Sequence, residues 1–174
     1  MPDIRERVEA DRGLLKRIQL LIPGYAGYRR REDIRAADNL LRMRLTERLR
    51  SVRVDLEDIR DARAMDGKMA GLSSIGNAIF VLEGLEAKVR HAEGGYSGIS
   101  ATIRVEEDEL DKLYEYDFMM LDSIETAAMA VPAILEAADG KAFEAAIKTF
   151  RDSIRRFEDA WSRRMHIVSG TYAR

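Results

Sequence analysis

The chain contains no cysteine, only two histidines and only three prolines in 174 residues. Without cysteine there can be no disulfide and no thiolate metal site. His91 and His166 lie far apart in the sequence, and neither has a second histidine at helical spacing, so we expect no histidine-based zinc or di-iron site. The few prolines, at positions 2, 23 and 132, leave long stretches free to form helices.

Long apolar runs are missing as well. No stretch of the sequence approaches the ~18 consecutive apolar residues that a membrane-spanning helix needs. The charged start, residues 1–6, lacks the pattern of a secretory signal. These absences predict a cytoplasmic location. A chain of 174 residues suffices for one well-packed core, so residues 1–174 are expected to form a single helical domain with a frayed tail at about 169–174.

The net charge of −2 conceals three parts of opposite sign. Residues 1–65 hold 16 Lys and Arg against 12 Asp and Glu, residues 66–140 hold 5 against 15, and residues 141–174 hold 8 against 4. We expect the basic ends to pair with the acidic middle inside one fold. The alternative is an exposed basic surface for anionic lipid or nucleic acid. Nucleic-acid binding is the less favoured of the two, because acidic residues are interleaved with the arginines and no helix-turn-helix or other nucleic-acid-binding motif is recognisable.

Periodic helical sequence is what the chain has in abundance. Apolar residues recur at spacings of three and four in five stretches, separated by glycine- or proline-containing breaks. The predicted helices span about residues 3–21, 31–65, 68–90, 106–138 and 141–168. The fold class is therefore all-α: an elongated antiparallel bundle of about five helices, of which the second is very long.

The apolar stripes predict what each helix buries. The narrow stripe of the second helix is typical of bundle or coiled-coil packing, and a projecting part of it would need a partner. The third helix is apolar around most of its circumference, which predicts a central position with Asn77 buried. The stripes of the second and fifth helices are Ile34, Leu41, Leu45, Leu49, Val52, Leu56 and Ile59, and Phe143, Ile147, Phe150, Ile154, Phe157 and Trp161.

The connection 22–33, Ile-Pro-Gly-Tyr-Ala-Gly-Tyr-Arg-Arg-Arg-Glu-Asp, carries more side-chain chemistry than a turn requires. It leads into a helix N-terminus, where free backbone N–H groups and arginines could hold an anion. Alternatively, Glu32 and Asp33 satisfy that helix end and the arginines stay solvated or pair with the acidic fourth helix. The candidate anion-binding or interaction residues are Gly24, Tyr25, Gly27, Tyr28, Arg29, Arg30 and Arg31.

The connection 91–105 is the longest irregular segment. Its glycines at 94, 95 and 98 superficially resemble a phosphate-binding loop, but the Gly-Lys-Ser/Thr ending is absent. Connections of this length are either functional or disordered, and the sequence leaves the role of this one open.

Three aspartates lie on faces that we expect to be buried: Asp11, Asp38 and Asp117. If the first two helices form a hairpin, Asp11 and Asp38 stand at the same height. A buried carboxylate must be paired, protonated or metal-bound. Pairing with arginine or tyrosine is the favoured interpretation, and a divalent-metal site is the alternative. No nucleophile or histidine lies near them in the pattern, so no catalytic residues and no cofactor are predicted and an enzyme is disfavoured.

Residues 22–42, with Pro-Gly-x-x-Gly-Tyr followed by Arg-x-x-Asp, resemble a motif of small prokaryotic all-helical proteins with no assigned activity. Residues 110–117, Leu-Asp-Lys-Leu-Tyr-Glu-Tyr-Asp, resemble their second signature. The resemblance implies an all-helical fold and makes Tyr28 a distinctive position. It also marks the residues for which we hypothesise one buried polar network: Glu32, Arg35, Asp38, Tyr114 and Asp117.

Three functions remain open at this point. The first is a non-enzymatic interaction or scaffold protein, bound to further copies of itself or to another helical protein. The second is an anion- or small-ligand-binding protein that uses the 23–31 loop. The third is peripheral association with an anionic membrane surface, which salt should weaken steeply.

Overall fold

The computed structural model of the protein describes residues 4–27, 31–92, 107–137 and 140–168, and the side chains of 13–27, 36–92, 110–137 and 140–168. Five helices occupy these ranges: α1 Ile4–Leu21, α2 Arg31–Met65, α3 Leu72–His91, α4 Glu107–Glu136 and α5 Gly140–Val168. The described residues contain no strand, which confirms the all-α prediction. The second helix, with 35 residues, is the longest, as predicted.

Helices α2 to α5 form a four-helix bundle. α2 packs against α3 and α4, and α5 packs extensively against α4 and less against α3. Helices α2 and α4 run in the same direction. Near their starts, Asp38 and Asp117 both accept hydrogen bonds from Arg164, and near their ends, Arg63 donates to the carbonyl of Ile134. The short connections after α2 and α4 reverse the chain, so α3 and α5 run the opposite way.

The first helix packs against α4. A hairpin of α1 with α2, which would have placed Asp11 beside Asp38, is not what the described residues show. The side chain of Asp11 lies outside the described residues. α1 therefore joins the bundle as a fifth helix on the α4 side.

The stripes of α2 and α5 face the interior of the bundle. Each described stripe residue of these two helices is buried. No described residue of the α2 stripe projects beyond its neighbours, because α3 and α4 cover it within the chain.

Helix α3 lies at the edge of the bundle, so the prediction of a central α3 is wrong. Its packing is mainly against α2. Phe80 is 74% exposed, Val81 is also exposed, and Asn77, which was expected to be buried, faces outward. The physical reason is that α2, α4 and α5 already enclose most of the core, so α3 covers one side of α2 and keeps an apolar outer face.

The turn into α3 depends on two glycines in the left-handed region, Gly67 and Gly71, with φ of 71° and 86°. A Cβ atom at Gly71 would lie 2.4 Å from the Phe143 ring. These glycines delay the start of α3 to Leu72. The sequence prediction had begun the helix at residue 68, because a glycine inside an apolar run does not by itself reveal its φ angle.

The part of α4 from Leu110 to Glu136 is long and apolar enough to cross a membrane by length and composition, with a mean hydropathy of 1.5. The absence of a long uninterrupted apolar run in the sequence predicts no such segment. Here this segment packs against α1, α2 and α5. The core helix of a bundle passes the same test, so the observation is weak support for a membrane span.

Candidate functional site

Two buried aspartates converge on one buried arginine in the interior of the bundle. The Arg164 Nε donates to Asp117 Oδ1 at 2.7 Å, and its Nη2 donates to Asp38 Oδ1 at 2.7 Å. Arg164 is 0% exposed, and both aspartates are buried. Such short charge-assisted bonds are among the strong hydrogen bonds of proteins. We call this set the Asp38–Arg164–Asp117 network.

Tyr25 and Arg42 complete the network. The Tyr25 hydroxyl donates to Asp117 Oδ2 at 2.9 Å, and Arg42 Nε donates to Asp38 Oδ2 at 2.8 Å. All four carboxylate oxygens therefore accept a hydrogen bond. Arg42 also donates through Nη1 to the carbonyl of Ala92 at 2.9 Å, which ties the end of α3 to α2. A buried ionic cluster is stable only with this degree of hydrogen bonding.

The helix pattern explains why these side chains meet. Asp38 and Asp117 occupy interior positions of α2 and α4, between apolar residues that are buried. Arg164 lies three residues after Trp161 and so continues the α5 stripe. Since α5 is antiparallel to α2 and α4, the C-terminal part of α5 lies near the N-terminal parts of the other two helices.

The 22–27 connection packs onto the first turns of α4. Gly27 has a φ of 80°, and a Cβ there would lie 2.5 Å from the Tyr114 hydroxyl. Tyr25 is buried, and its carbonyl accepts a bond from Gln19 Nε2 at 3.0 Å. Two segments that the sequence singled out, 22–33 and 110–117, thus contact each other through Tyr25 with Asp117 and through Gly27 with Tyr114.

The structure brings together Tyr25, Gly27, Asp38, Tyr114 and Asp117, all of which the sequence analysis proposed. Gly24 is exposed in the turn. The remaining proposed positions lie outside the described residues, wholly or by their side chains: Asp11, Tyr28, Arg29, Arg30, Arg31, Glu32 and Arg35. Most of the 91–105 connection also lies outside them.

Arg164 is the residue that sequence reasoning missed. The predicted α5 stripe ended at Trp161, because an arginine was not considered for an interior position. The signal was nevertheless present: 161, 164 and 168 continue the alternation of three and four. A charged residue in register with an apolar stripe is the sequence sign of a buried ionic partner.

The network is suited to fixing helices rather than to chemistry. Its central cation is a guanidinium, and each carboxylate oxygen already has a donor. In the part of the chain that the structure describes, no group of three Asp, Glu, His or Cys side chains could hold a metal ion. The contacts join the 22–27 turn, α2, α4 and α5, which would otherwise be free to shift in register.

Ion pairs nearer the surface join the basic and acidic parts of the chain. Arg48 donates through Nε and Nη2 to both carboxylate oxygens of Glu125, at 2.7 and 2.6 Å. This hydrogen bonding lowers the pKa of Glu125 and raises the pKa of Arg48. Burial acts to lower the pKa of Arg53, but its hydrogen bonds to Glu57 and Glu86 outweigh burial and raise it.

Comparison with known proteins gives no relative: no family model, no curated protein and no solved structure matches the chain. The resemblance of residues 22–42 and 110–117 to small prokaryotic helical proteins therefore stays a prediction.

Proposed function

We propose that this protein is a non-enzymatic, cytoplasmic interaction protein that self-associates through the outer face of α3. We define this face by five residues at spacings of three and four: Ser73, Gly76, Phe80, Gly84 and Ala87. The observation that carries the proposal is Phe80, a large aromatic residue that is 74% exposed on a face made otherwise of small residues. Exposed apolar patches of this kind mark interaction sites.

The outer face of α3 is open to a second helix. A Cβ atom built at Gly76 or Gly84 meets no other atom within 4 Å. Small residues let two helices approach closely, since the distance between helix axes depends on the side chains at the contact. A cavity of about 180 Å³ between α3 and α5, lined in part by Val81, Phe150 and Ile154, continues the apolar surface.

A second copy of this chain is the partner that fits the face best. Phe80 protrudes and Gly84, one turn away, leaves a hollow. In a twofold antiparallel pair, Phe80 of each copy would lie over Gly84 of the other, as an isologous interface requires. Charges of both signs border the face: Glu83 on α3, and Arg151, Arg155 and Glu158 beside the neighbouring cavity. The result would be a short contact of the coiled-coil type.

The described part of the 23–31 loop supports this choice over loop-based anion binding. Tyr25 and Gly27 are used in internal contacts with Asp117 and Tyr114. The aspartates that could have served a catalytic or metal site are held by Arg164. Phe80 on the outer face of α3, in contrast, has no role inside the fold.

The test is molar mass by light scattering over a dilution series, at low and at high salt. We expect a species above the 19.8 kDa of the single chain that shrinks on dilution and resists salt. Phe80→Glu should yield the single-chain mass. Met129→Glu on α4 is the matched control, because it adds the same charge at a residue that is 73% exposed. A single-chain mass for the unmodified protein at every concentration would refute the proposal.

Gly84→Leu gives an independent test of close approach. The new side chain has open space in the isolated chain, so the helix content should be kept or should rise. In a pair it would fill the hollow under Phe80 and prevent association. Association that survives both Gly84→Leu and Phe80→Glu would place the interface elsewhere. Salt-sensitive binding to anionic vesicles by the single chain would favour the membrane alternative.

A further inference from the structure

A second buried arginine lies at the other end of the bundle. Arg63, in the last turn of α2, is 6% exposed, and its guanidinium carbon lies 4.8 Å from the centre of the Phe143 ring. Its Nη1 and Nη2 donate to the carbonyls of Ile134 and Ala70, both at 3.4 Å. Its Nε is buried without an acceptor, and no described carboxylate pairs with it.

These contacts compensate a buried charge only in part. The two N–O distances exceed the usual range of about 2.7–3.2 Å, so the hydrogen bonds are weak. The ends of α2 and α4 and the face of Phe143 offer partial negative charge. A buried cation normally needs an ionised partner as well. Among the described residues, no anion fills this requirement at Arg63.

A cavity of about 650 Å³ opens beside Arg63, within the size range of small-molecule sites. Its lining includes Lys68, Met69, Gly71, Ala137 and Phe143, with Glu144 at the first turns of α5. Helix α3 begins there after Gly71 and has no acidic residue in its first turn. Gly71, at the N-cap of α3, provides no side-chain cap. Helix N-termini without such neutralisation attract anions.

We infer that this end of the bundle binds a small organic molecule that carries an oxyanionic group, a phosphate monoester or a carboxylate. The oxyanion takes its place beside Arg63, with Lys68 and the N-terminus of α3 as further donors. Lys68 is exposed and at present donates to Asp66 at 3.2 Å, so it can turn to a ligand at little cost. The apolar part of the ligand lies against Met69, Ala137 and Phe143.

Three probes separate the parts of this inference: phenyl phosphate, inorganic phosphate and the neutral analogue phenol, each titrated into the full chain by calorimetry. We expect phenyl phosphate to bind more tightly than inorganic phosphate, because only the former fills the apolar lining, and phenol to bind weakly. Benzoate in place of phenyl phosphate tells a carboxylate preference from a phosphate preference.

Three substitutions test which residues form the proposed anion-binding site. Arg63→Met, which keeps an unbranched side chain over Phe143, should weaken phenyl phosphate binding at least about tenfold, the loss expected for a hydrogen-bonded charge. Lys68→Gln, at an exposed position, should weaken it about threefold and keeps the test valid if Arg63→Met unfolds. Arg60→Gln, one turn earlier on α2 and paired with Asp61, is the matched control and should change nothing.

Binding of phenyl phosphate that depends on Arg63 and Lys68 but not on Arg60 supports the inference. It is overturned by three results: no binding, equal binding by the Arg63→Met and Lys68→Gln variants, or equal affinity for inorganic and phenyl phosphate. This test is independent of the outer face of α3, and the Phe80→Glu variant should bind phenyl phosphate like the unmodified chain.

Discussion

Arg164 and Arg63 are buried at opposite ends of the same bundle, and they differ in what faces them. Arg164 donates two 2.7 Å bonds to two carboxylates. Arg63 faces two carbonyl groups at 3.4 Å and an aromatic ring, and no described carboxylate pairs with it. Both come three or four residues after a buried apolar residue of their helix stripe, Trp161 in α5 and Ile59 in α2.

The difference shows that burial of an arginine does not reveal its role. At the Arg164 end, the charges are neutralised inside the chain, and the cluster joins α2, α4 and α5. At the Arg63 end, the cation lies beside a cavity, and its compensation is incomplete. The contacts at the first end are structural. At the second end, a bound anion would gain the larger interaction energy, because Arg63 has no described carboxylate partner.

Arg164→Met should cause the largest loss of stability. It would leave Asp38 and Asp117 buried without their shared cation, and breaking such a cluster typically costs about 3–5 kcal/mol. The measurement is the free energy of unfolding in urea. As a control, the triple variant that combines Arg164→Met with Asp38→Leu and Asp117→Leu should recover part of the loss, because it removes the unpaired charges as well. A loss below about 1 kcal/mol for Arg164→Met alone would contradict the assignment.

Tyr25→Phe should have the next largest effect. It removes the hydroxyl that donates to Asp117 Oδ2, and a hydrogen bond to a charged group is worth about 1.5–3 kcal/mol. Tyr116→Phe is the control on α4, because Tyr116 is half-buried and makes no hydrogen bond among the described residues. If the two phenylalanine variants unfold at the same urea concentration, the bond to Asp117 adds little.

Arg63→Met should change the free energy of unfolding by no more than about 1 kcal/mol, in either direction, because it removes a poorly compensated buried charge and keeps the apolar contact. The urea measurement is made without added anion. Phenyl phosphate should then stabilise the unmodified chain and have much less effect on the variant, because the variant binds it at least about tenfold more weakly. A loss as large as that of Arg164→Met would instead make Arg63 a structural cap of α2 and α4.

Glu125→Gln should have the smallest effect, about a few tenths of a kcal/mol, because the Arg48–Glu125 pair is partly exposed and screened. The pKa of Glu125 is lowered in the folded chain, so its contribution is present above its ordinary pKa and is lost as the pH falls through the folded value. The stability difference between the unmodified chain and Glu125→Gln should therefore be largest near neutral pH and vanish in acid. A difference that grows in acid would contradict this sign.

Helix periodicity carried most of the fold prediction. The bounds of α1, α2 and α5 were predicted to within one residue, because Pro23, Gly24 and Gly140 interrupt strong apolar patterns. The start of α3 was placed four residues too early, since the turn there depends on the φ angles of Gly67 and Gly71. The position of α3 at the edge was also missed, because an apolar sequence does not tell whether neighbours are present.

The candidate sites were predicted less completely. Asp38 and Asp117 could be singled out because a carboxylate on an apolar face needs a partner. Their partner Arg164 lies 126 residues from Asp38, and only the packing of α4 against both α2 and α5 brings them together. Arg63 also continues the stripe of its helix, four residues after Ile59. Its significance was missed because it depends on the cavity formed by the ends of four helices.

The sequence by itself determined that this chain forms long amphipathic helices without disulfides, because spacing and composition act locally along the chain. It also determined that some stripe positions are charged and must find partners. Only the tertiary structure decided which partners those are, which helix keeps an exposed apolar face, and which buried arginine remains without a carboxylate among the described residues. These outcomes depend on distances between residues far apart in the chain, and helix periodicity carries no information about them.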